Sequence, residues 1–253
     1  MAAIVGGAVC GRYAAATDPA ALVEEFEVSA PPEELLEPDY NVAPTKRVYI
    51  VVDRPVPDRA GERERALVVA RWGLIPSWAK DASIGARLIN ARAETLGEKP
   101  SFRSAYAKRR CLVPADGFYE WYVPESGAAR KQPFFIHPAD GSRLAMAGLY
   151  EWWRDPALDE DDPDSWRLTC TVITTDATDD IGRIHDRMPM TVAREDWAAW
   201  LDPAHRVEAA GLIRPADATP LDAYPVSTAV NSVRNNGPAL IEPLAAQEPD
   251  ALF

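Results

Sequence analysis

RWGLIPSWAKDASIGARLINARAETLGEKPSFRSAYAKRRCLVPADGFYEW, residues 71–121, carries the pattern from which the fold can be read. At its C-terminal end, 111–114 and 118–122 read as two short strands, and Ala115-Asp116-Gly117 between them is a hairpin signal. The residues at 73–100 are punctuated by Pro76, Gly85, Gly97 and Pro100 and read as irregular, and 101–109 suits a short helix. Upstream, 48–52 and 66–72 are apolar strands, with NVAPT (41–45) read as a loop and 54–65 as a polar one. Asp18 and Pro19 open a helix whose apolar face is Leu22, Val23 and Phe26. Downstream come strands at 133–137, 144–152 and 168–174, helices at 193–201 and 205–213, and an extended, proline-broken end. No Pro/Gly/Ser linker divides the chain. Many short strands with scattered helices predict a single α+β domain on a curved, mainly antiparallel, barrel-like sheet with peripheral helices.

The same stretch is a cationic island. Residues 71–110 hold nine Lys or Arg against Asp81, Glu94 and Glu98, whereas the whole chain carries −12. A positive region maintained against the field of an acidic body marks a place for an anionic partner. Only five of the 27 cations are Lys, which suits either a salt-rich cytosol or a GC-rich gene.

The 253 residues, 47% hydrophobic, suffice for a real core. No apolar run approaches the ~18 residues of a membrane span. Three widely spaced cysteines argue against a disulfide framework and for a reducing, cytoplasmic setting. His137, His185 and His205 lie far apart and no metal-ligand spacing occurs, so neither a metal nor a cofactor is expected. The acidic 155–165 segment reads as a solvated loop.

GFYEWY (117–122) is echoed by GLYEWW (148–153), matching at four of six positions. Strand alternation puts Glu120 on a face with Phe118 and Tyr122, and Glu151 with Leu149 and Trp153. A carboxylate among aromatics is desolvated, and its pKa rises toward the range useful for proton transfer. Periodicity leaves the two glutamates equivalent.

CGRY (10–13), NVAPT, RWGLIPSW, INARAET, RRCLVPADGFYEW, AGLYEW and IHDRMP, in that order, resemble the SOS response-associated peptidase (SRAP) family, and VSTAVNSVRNNGP resembles its C-terminal portion. The resemblance implies a protein that recognises abasic sites in single-stranded DNA and links itself to them through an N-terminal cysteine. It also implies autoproteolytic exposure of that cysteine and a lyase-like side activity. Carried over, it makes Cys10 the nucleophile, Asn90 its positioner, Glu120 the proton handler and His185 the assistant to ring opening. It selects Glu120 over Glu151. Arg12, Pro44, Thr45, Trp72, Arg92, Trp121 and Arg187 become the expected DNA contacts. The expected protein acts as a monomer, without metal or membrane, in the cytoplasm and at the nucleoid when engaged.

The chemistry is coherent. An abasic sugar equilibrates with an aldehyde, and a terminal cysteine offers it an amine and a thiol on adjacent carbons. The amine, with an ordinary pKa of about 8, forms a Schiff base and the thiol closes a thiazolidine. Arg92 and Arg187 lie within two residues of proposed reactive groups, where phosphate contacts would flank the sugar. Other readings stay open residue by residue: Cys10, Cys111 and Cys170 as buried apolar groups, Asn90 as a turn, His185 as a cap, and Trp72, Trp78 and Trp121 as core. A purely noncovalent single-strand binder and a cysteine peptidase built on Cys10, His185 and Asn90 are the competing functions.

One feature departs from the family pattern. Nine residues precede Cys10, so its nitrogen as written is an amide. Either 1–9 are removed, leaving 10–253 as the working domain, or synthesis starts at position 9, where a GUG codon would be read as Val9.

Overall fold

A computed structural model describes residues 10–29, 32–56, 58–59, 61–123, 131–177, 179–205, 210–213 and 220–244. The expected extension at 1–9 and the middle of the helix expected at 205–213 lie outside these residues. The strands in chain order are β1 (Tyr13–Ala15), β2 (Asp39–Val42), β3 (Arg47–Pro55), β4 (Arg63–Trp72), β5 (Asn90–Arg92) and β6 (Arg110–Ala115). They continue as β7 (Gly117–Tyr122), β8 (Gln132–Pro138), β9 (Leu144–Arg154), β10 (Trp166–Asp176), β11 (Arg187–Pro189) and β12 (Leu221–Pro225). The helices are short: α1 (Pro19–Glu25), α2 (Arg103–Lys108) and α3 (Trp197–Leu201).

Strands β4, β3, β6, β9 and β10 pair in that order, and β10 returns to β4, so five strands close a barrel. Four of those junctions are antiparallel and only β4–β10 is parallel. Closure removes the exposed edges such strands would otherwise present. β3 and β4 run further than their apolar centres because Arg54–Glu64 and Arg63–Asp53 ion pairs face each other across the polar ends. A second sheet, in the order β12-β8-β7-β1-β2, lies against the barrel. The predicted α+β, mainly antiparallel architecture is the one observed.

Side-chain alternation divides the core. Val51, Leu67, Leu112, Leu149 and Ile173 join a cluster with Leu22, Phe26 and Trp200 of the helical layer. The alternate residues Ile50, Val52, Ala66, Cys111, Val113, Cys170 and Val172 join Tyr13, Phe118 and Ile136 of the second sheet. α1 starts where the sequence indicates: Asp18 accepts the Ala20 N–H at 2.7 Å, Pro19 follows, and Phe26 stacks on Trp197 with centroids 4.6 Å apart.

Two expectations are corrected. β6 and β7 do not form a hairpin; β6 belongs to the barrel and β7 to the second sheet. Asp116 makes bonds that a hairpin turn would not, accepting from Ala16 N–H (2.6 Å) and the Thr17 hydroxyl and so tying the corner to the end of β1. Gly117 is required by space, since a Cβ there would stand 2.4 Å from the Phe135 ring and 2.6 Å from the Ile136 carbonyl oxygen. NVAPT is not wholly loop either, because Asn41 and Val42 close β2. Asn41 pairs side chain to backbone with a distant segment, which residue pattern alone does not signal.

Thr45 sits at φ +71° in the turn that follows, a conformation that costs a β-branched residue roughly 1–2 kcal/mol. Bonds from Thr45 N–H to the Trp72 carbonyl (2.8 Å) and from Lys46 N–H to the Ala43 carbonyl (3.2 Å) hold it there. Thr45→Gly is therefore expected to raise unfolding stability by about 1 kcal/mol in urea titrations, the strain relieved exceeding the added chain entropy. A lower midpoint would show that the hydroxyl contributes more than the strain costs.

Candidate active site

β7 carries Glu120 into the interior, where it is 3% exposed beside Phe118. The Cys10 N–H donates to Glu120 Oε1 at 2.6 Å, although 110 residues separate them. Pairing of β1 with β7, Tyr13 against Phe118, sets that approach, and Tyr119 N–H donates to the Arg12 carbonyl at 2.9 Å. Cys10 is itself 4% exposed and takes φ +46°, turning the chain at the point of contact. Burial and then the Glu120 charge push its thiol well above the usual range, while Arg187 pulls the other way. Desolvation raises Glu120 above the ordinary carboxylate value, only partly countered by the field of His185 and the bonds from Cys10.

The echo of GFYEWY in GLYEWW is resolved by partners. Glu151 is also buried and also raised by desolvation, but Arg109 holds it at 2.6 Å. Glu120 instead accepts the Cys10 N–H and lies in the field of His185, with no arginine paired to it among the described residues.

His185 ends the turn after Asp179–Arg183 and is partly exposed. Its Nδ1 accepts the Arg187 N–H at 3.0 Å, which leaves the proton of the neutral ring on Nε2. The same nitrogen lies 3.0 Å from Asp186 Oδ1. Asn90 opens β5 opposite Val172, directly after Ile89, which packs in the cluster that contains Cys10.

The expected DNA contacts separate into groups. Arg12 donates to Asn41 Oδ1 (2.6 Å) and the Val230 carbonyl (2.8 Å), and its guanidinium lies over the half-exposed Trp121 ring at 5.9 Å. Trp121, on the face opposite Glu120, donates to Asn231 Oδ1 at 2.7 Å. Thr45 and Arg92 are exposed and Pro44 is half-buried. Trp72 is a correction: it is 1% exposed, donates to the Ile89 carbonyl at 2.9 Å and meets Tyr13 edge-on, so it is core and offers no stacking face. Arg187 is 9% exposed and bound on several sides by protein groups.

Sequence reading missed the role of the segment at 229–236. Asn41 is fully buried and its Nδ2 donates to the carbonyls of Ser232 and Asn235, both at 2.9 Å, while Asn236 Oδ1 accepts the Tyr40 N–H. These bonds draw an exposed polar run, Asn231 to Asn236, alongside Arg12 and Trp121. The density of asparagine in NSVRNN was the available signal.

The cationic island divides as well. Arg109 pairs with Glu151, and Arg110 is buried with its guanidinium on main-chain carbonyls. Lys80, Arg87, Arg92, Lys99, Arg103 and Lys108 are exposed and form no ion pair among the described residues. Within that same set no cluster of three metal-ligating side chains is found, and no helix is long and apolar enough to cross a membrane.

The sequence model of the family described as SOS response associated peptidase (SRAP) matches residues 9–233. The abasic site processing protein YoqW of Bacillus subtilis is 40% identical over 237 residues, covering 92% of this chain and 99% of the relative. The abasic site processing protein HMCES of Gallus gallus is 36% identical over 234 residues, covering 82% and 66% respectively. A crystal structure of a protein from Bacteroides thetaiotaomicron superposes with a TM-score of 0.77 at 27% identity, covering 93% of this chain and all of that one.

Proposed function

Because the chain belongs to the SOS response associated peptidase family, we propose that it acts on abasic sites in single-stranded DNA and traps them covalently through Cys10. The observation that carries this reading is the 2.6 Å bond from the Cys10 nitrogen to the buried Glu120 carboxylate. Freed of residue 9, that nitrogen becomes an amine already in contact with a base of raised pKa. Removal of 1–9 by cleavage before Cys10, or synthesis starting at position 9, would produce this end, and the family match itself begins at residue 9.

The steps balance. His185 donates a proton to the sugar ring oxygen as the hemiacetal opens, and the proton of the anomeric hydroxyl is released in exchange through solvent to the imidazole, leaving the aldehyde. The amine adds to the carbonyl carbon, and Glu120 takes one amine proton and passes it to the carbinolamine oxygen. That oxygen leaves as water as the second amine proton is lost to it, giving the imine. The thiol then adds to the imine carbon, its proton passing to nitrogen, and the thiazolidine closes. Holding the groups together replaces bimolecular encounters with local ones. At the imine stage, loss of a proton from the adjacent sugar carbon would expel the 3′ phosphate, which accounts for a lyase-type side reaction.

A peptidase acting on other proteins fits less well, since burial and Glu120 push the Cys10 thiol up and leave little thiolate. The exposed cations along 80–108 suit a phosphate backbone, while the net charge of −12 keeps equilibrium binding weak and salt-sensitive. A covalent trap needs only a brief encounter.

The test incubates the purified protein with an abasic oligonucleotide and with its intact counterpart, then separates products on a denaturing gel. A slow band with the abasic strand alone is expected. Retention of both strands in native gels, with no denaturant-resistant band, would replace this reading with a noncovalent binder.

A further inference from the structure

Asn90 and His185 belong to segments that do not pair with each other. β5 lies along one edge of β10, at Val172–Thr174, and β11 lies at the other end-run of β10, Thr174–Asp176, following the stretch paired with β9. Both pair with β10, and the side chain of Arg187 joins them as well. Arg187, on β11, sends Nη1 to Glu94 Oε1 (2.7 Å) and Asp176 Oδ1 (2.6 Å). Its Nη2 reaches Glu94 Oε2 (3.1 Å) and the Thr174 carbonyl (2.6 Å). Glu94 stands in the turn directly after β5, and both of its oxygens engage the guanidinium in a forked pair. The backbone of the same arginine donates to His185 Nδ1. One residue thus grips the imidazole by its main chain and the Asn90 strand by its side chain.

We infer that Glu94 and Asp176 are positioning residues which, through Arg187, set the gap between Asn90 and His185. This rests on the functional reading above and departs from the expectation that Arg187 contacts phosphate. The cluster supports a fixed rather than a yielding arrangement: two carboxylates and a main-chain carbonyl engage both terminal nitrogens of a guanidinium that has little exposure, with its Nε buried and without a hydrogen-bond partner. The Arg187 bond also holds the Glu94 carboxyl below the usual range, so the pair stays charged through the neutral region. A phosphate arriving here would meet two carboxylates already in place.

The role separates from a DNA contact by kinetics. In Glu94→Gln and in Arg187→Lys, which keeps the charge and loses the fork, the adduct-forming rate at saturating abasic oligonucleotide is expected to fall about tenfold. The half-saturating concentration should stay unchanged, because misplacement acts on the chemical step. A raised half-saturating concentration with the saturated rate preserved, and rescue by lysine, would overturn the inference in favour of phosphate binding. Hydrogen exchange of the Asn90–Arg92 amides reads the clamp without DNA. Exchange about tenfold faster in Glu94→Gln, with β3 unchanged, supports it, and unaltered protection overturns it. Should the wild-type chain form no adduct at all, the functional reading falls while the exchange result still decides the clamp.

Discussion

Glu120→Gln is expected to abolish most adduct formation while making the protein more stable. Loss of a positioned base lowers the rate by about 10²–10⁴-fold, and the amide preserves shape and can still accept the Cys10 N–H. The stability gain follows from the direction of the carboxyl shift. Desolvation raises the folded pKa of Glu120 above its value in the unfolded chain. Between those two values the folded state holds a proton that the unfolded state has released, so stability falls as pH rises through that window. Above the folded value the penalty is complete. Glutamine carries no such penalty. The melting temperature of Glu120→Gln should therefore exceed that of the parent near pH 7.5, and the difference should shrink as pH falls toward the ordinary carboxylate range near 4.3. Melting curves across pH, beside gel assays on the same preparations, check both halves. A variant less stable at every pH would mean that the contact with Cys10 outweighs desolvation.

The second large effect concerns the end of the chain. Protein beginning at Cys10 should form an adduct that survives heat and denaturant, with an intact mass equal to protein plus oligonucleotide less one water. The same protein with its terminal amine acetylated should form none, because an amide nitrogen cannot add to an aldehyde to give an imine. Cys10→Ser with a free terminus should stop at the imine, trapped only when borohydride is present. Covalent capture by the acetylated form would show that some other residue attacks, and the placement of Cys10 against Glu120 would then be incidental.

In pH terms the two experiments are linked. Burial raises both groups, and the Glu120 charge further opposes ionisation of the Cys10 thiol, whereas the bonds from Cys10 favour the Glu120 carboxylate. Removing the carboxylate charge in Glu120→Gln should therefore make the thiol easier to ionise even as the amine loses its base. Faster alkylation of Cys10 alongside slower adduct formation would be the signature of that division of labour.

Legibility from residues differed sharply between features. Capping at Asp18-Pro19 and the apolar alternation of β3, β4 and β10 are local, and each appears where the pattern puts it. Ala115-Asp116-Gly117 misled because hairpins and sheet-to-sheet corners use the same residue types; Asp116 answers to Ala16 and Thr17, about a hundred positions away. Trp72 could not be separated from an exposed stacking residue by type, and only its enclosure by Tyr13 and the Ile89 carbonyl decides it.

For this chain, the order of residues determined the longer strands, the opening of the first helix and the excess of positive charge between 71 and 110. Those properties depend on neighbours within a few positions or on residue identity. Tertiary structure alone chose between Glu120 and Glu151 on physical grounds, by giving Arg109 to the second and the Cys10 nitrogen to the first. It also turned Arg187 inward onto Glu94 and Asp176. The reason is common to both: the proton affinity and reach of a charged side chain are set by which partners fold against it, and those partners come from distant parts of the chain.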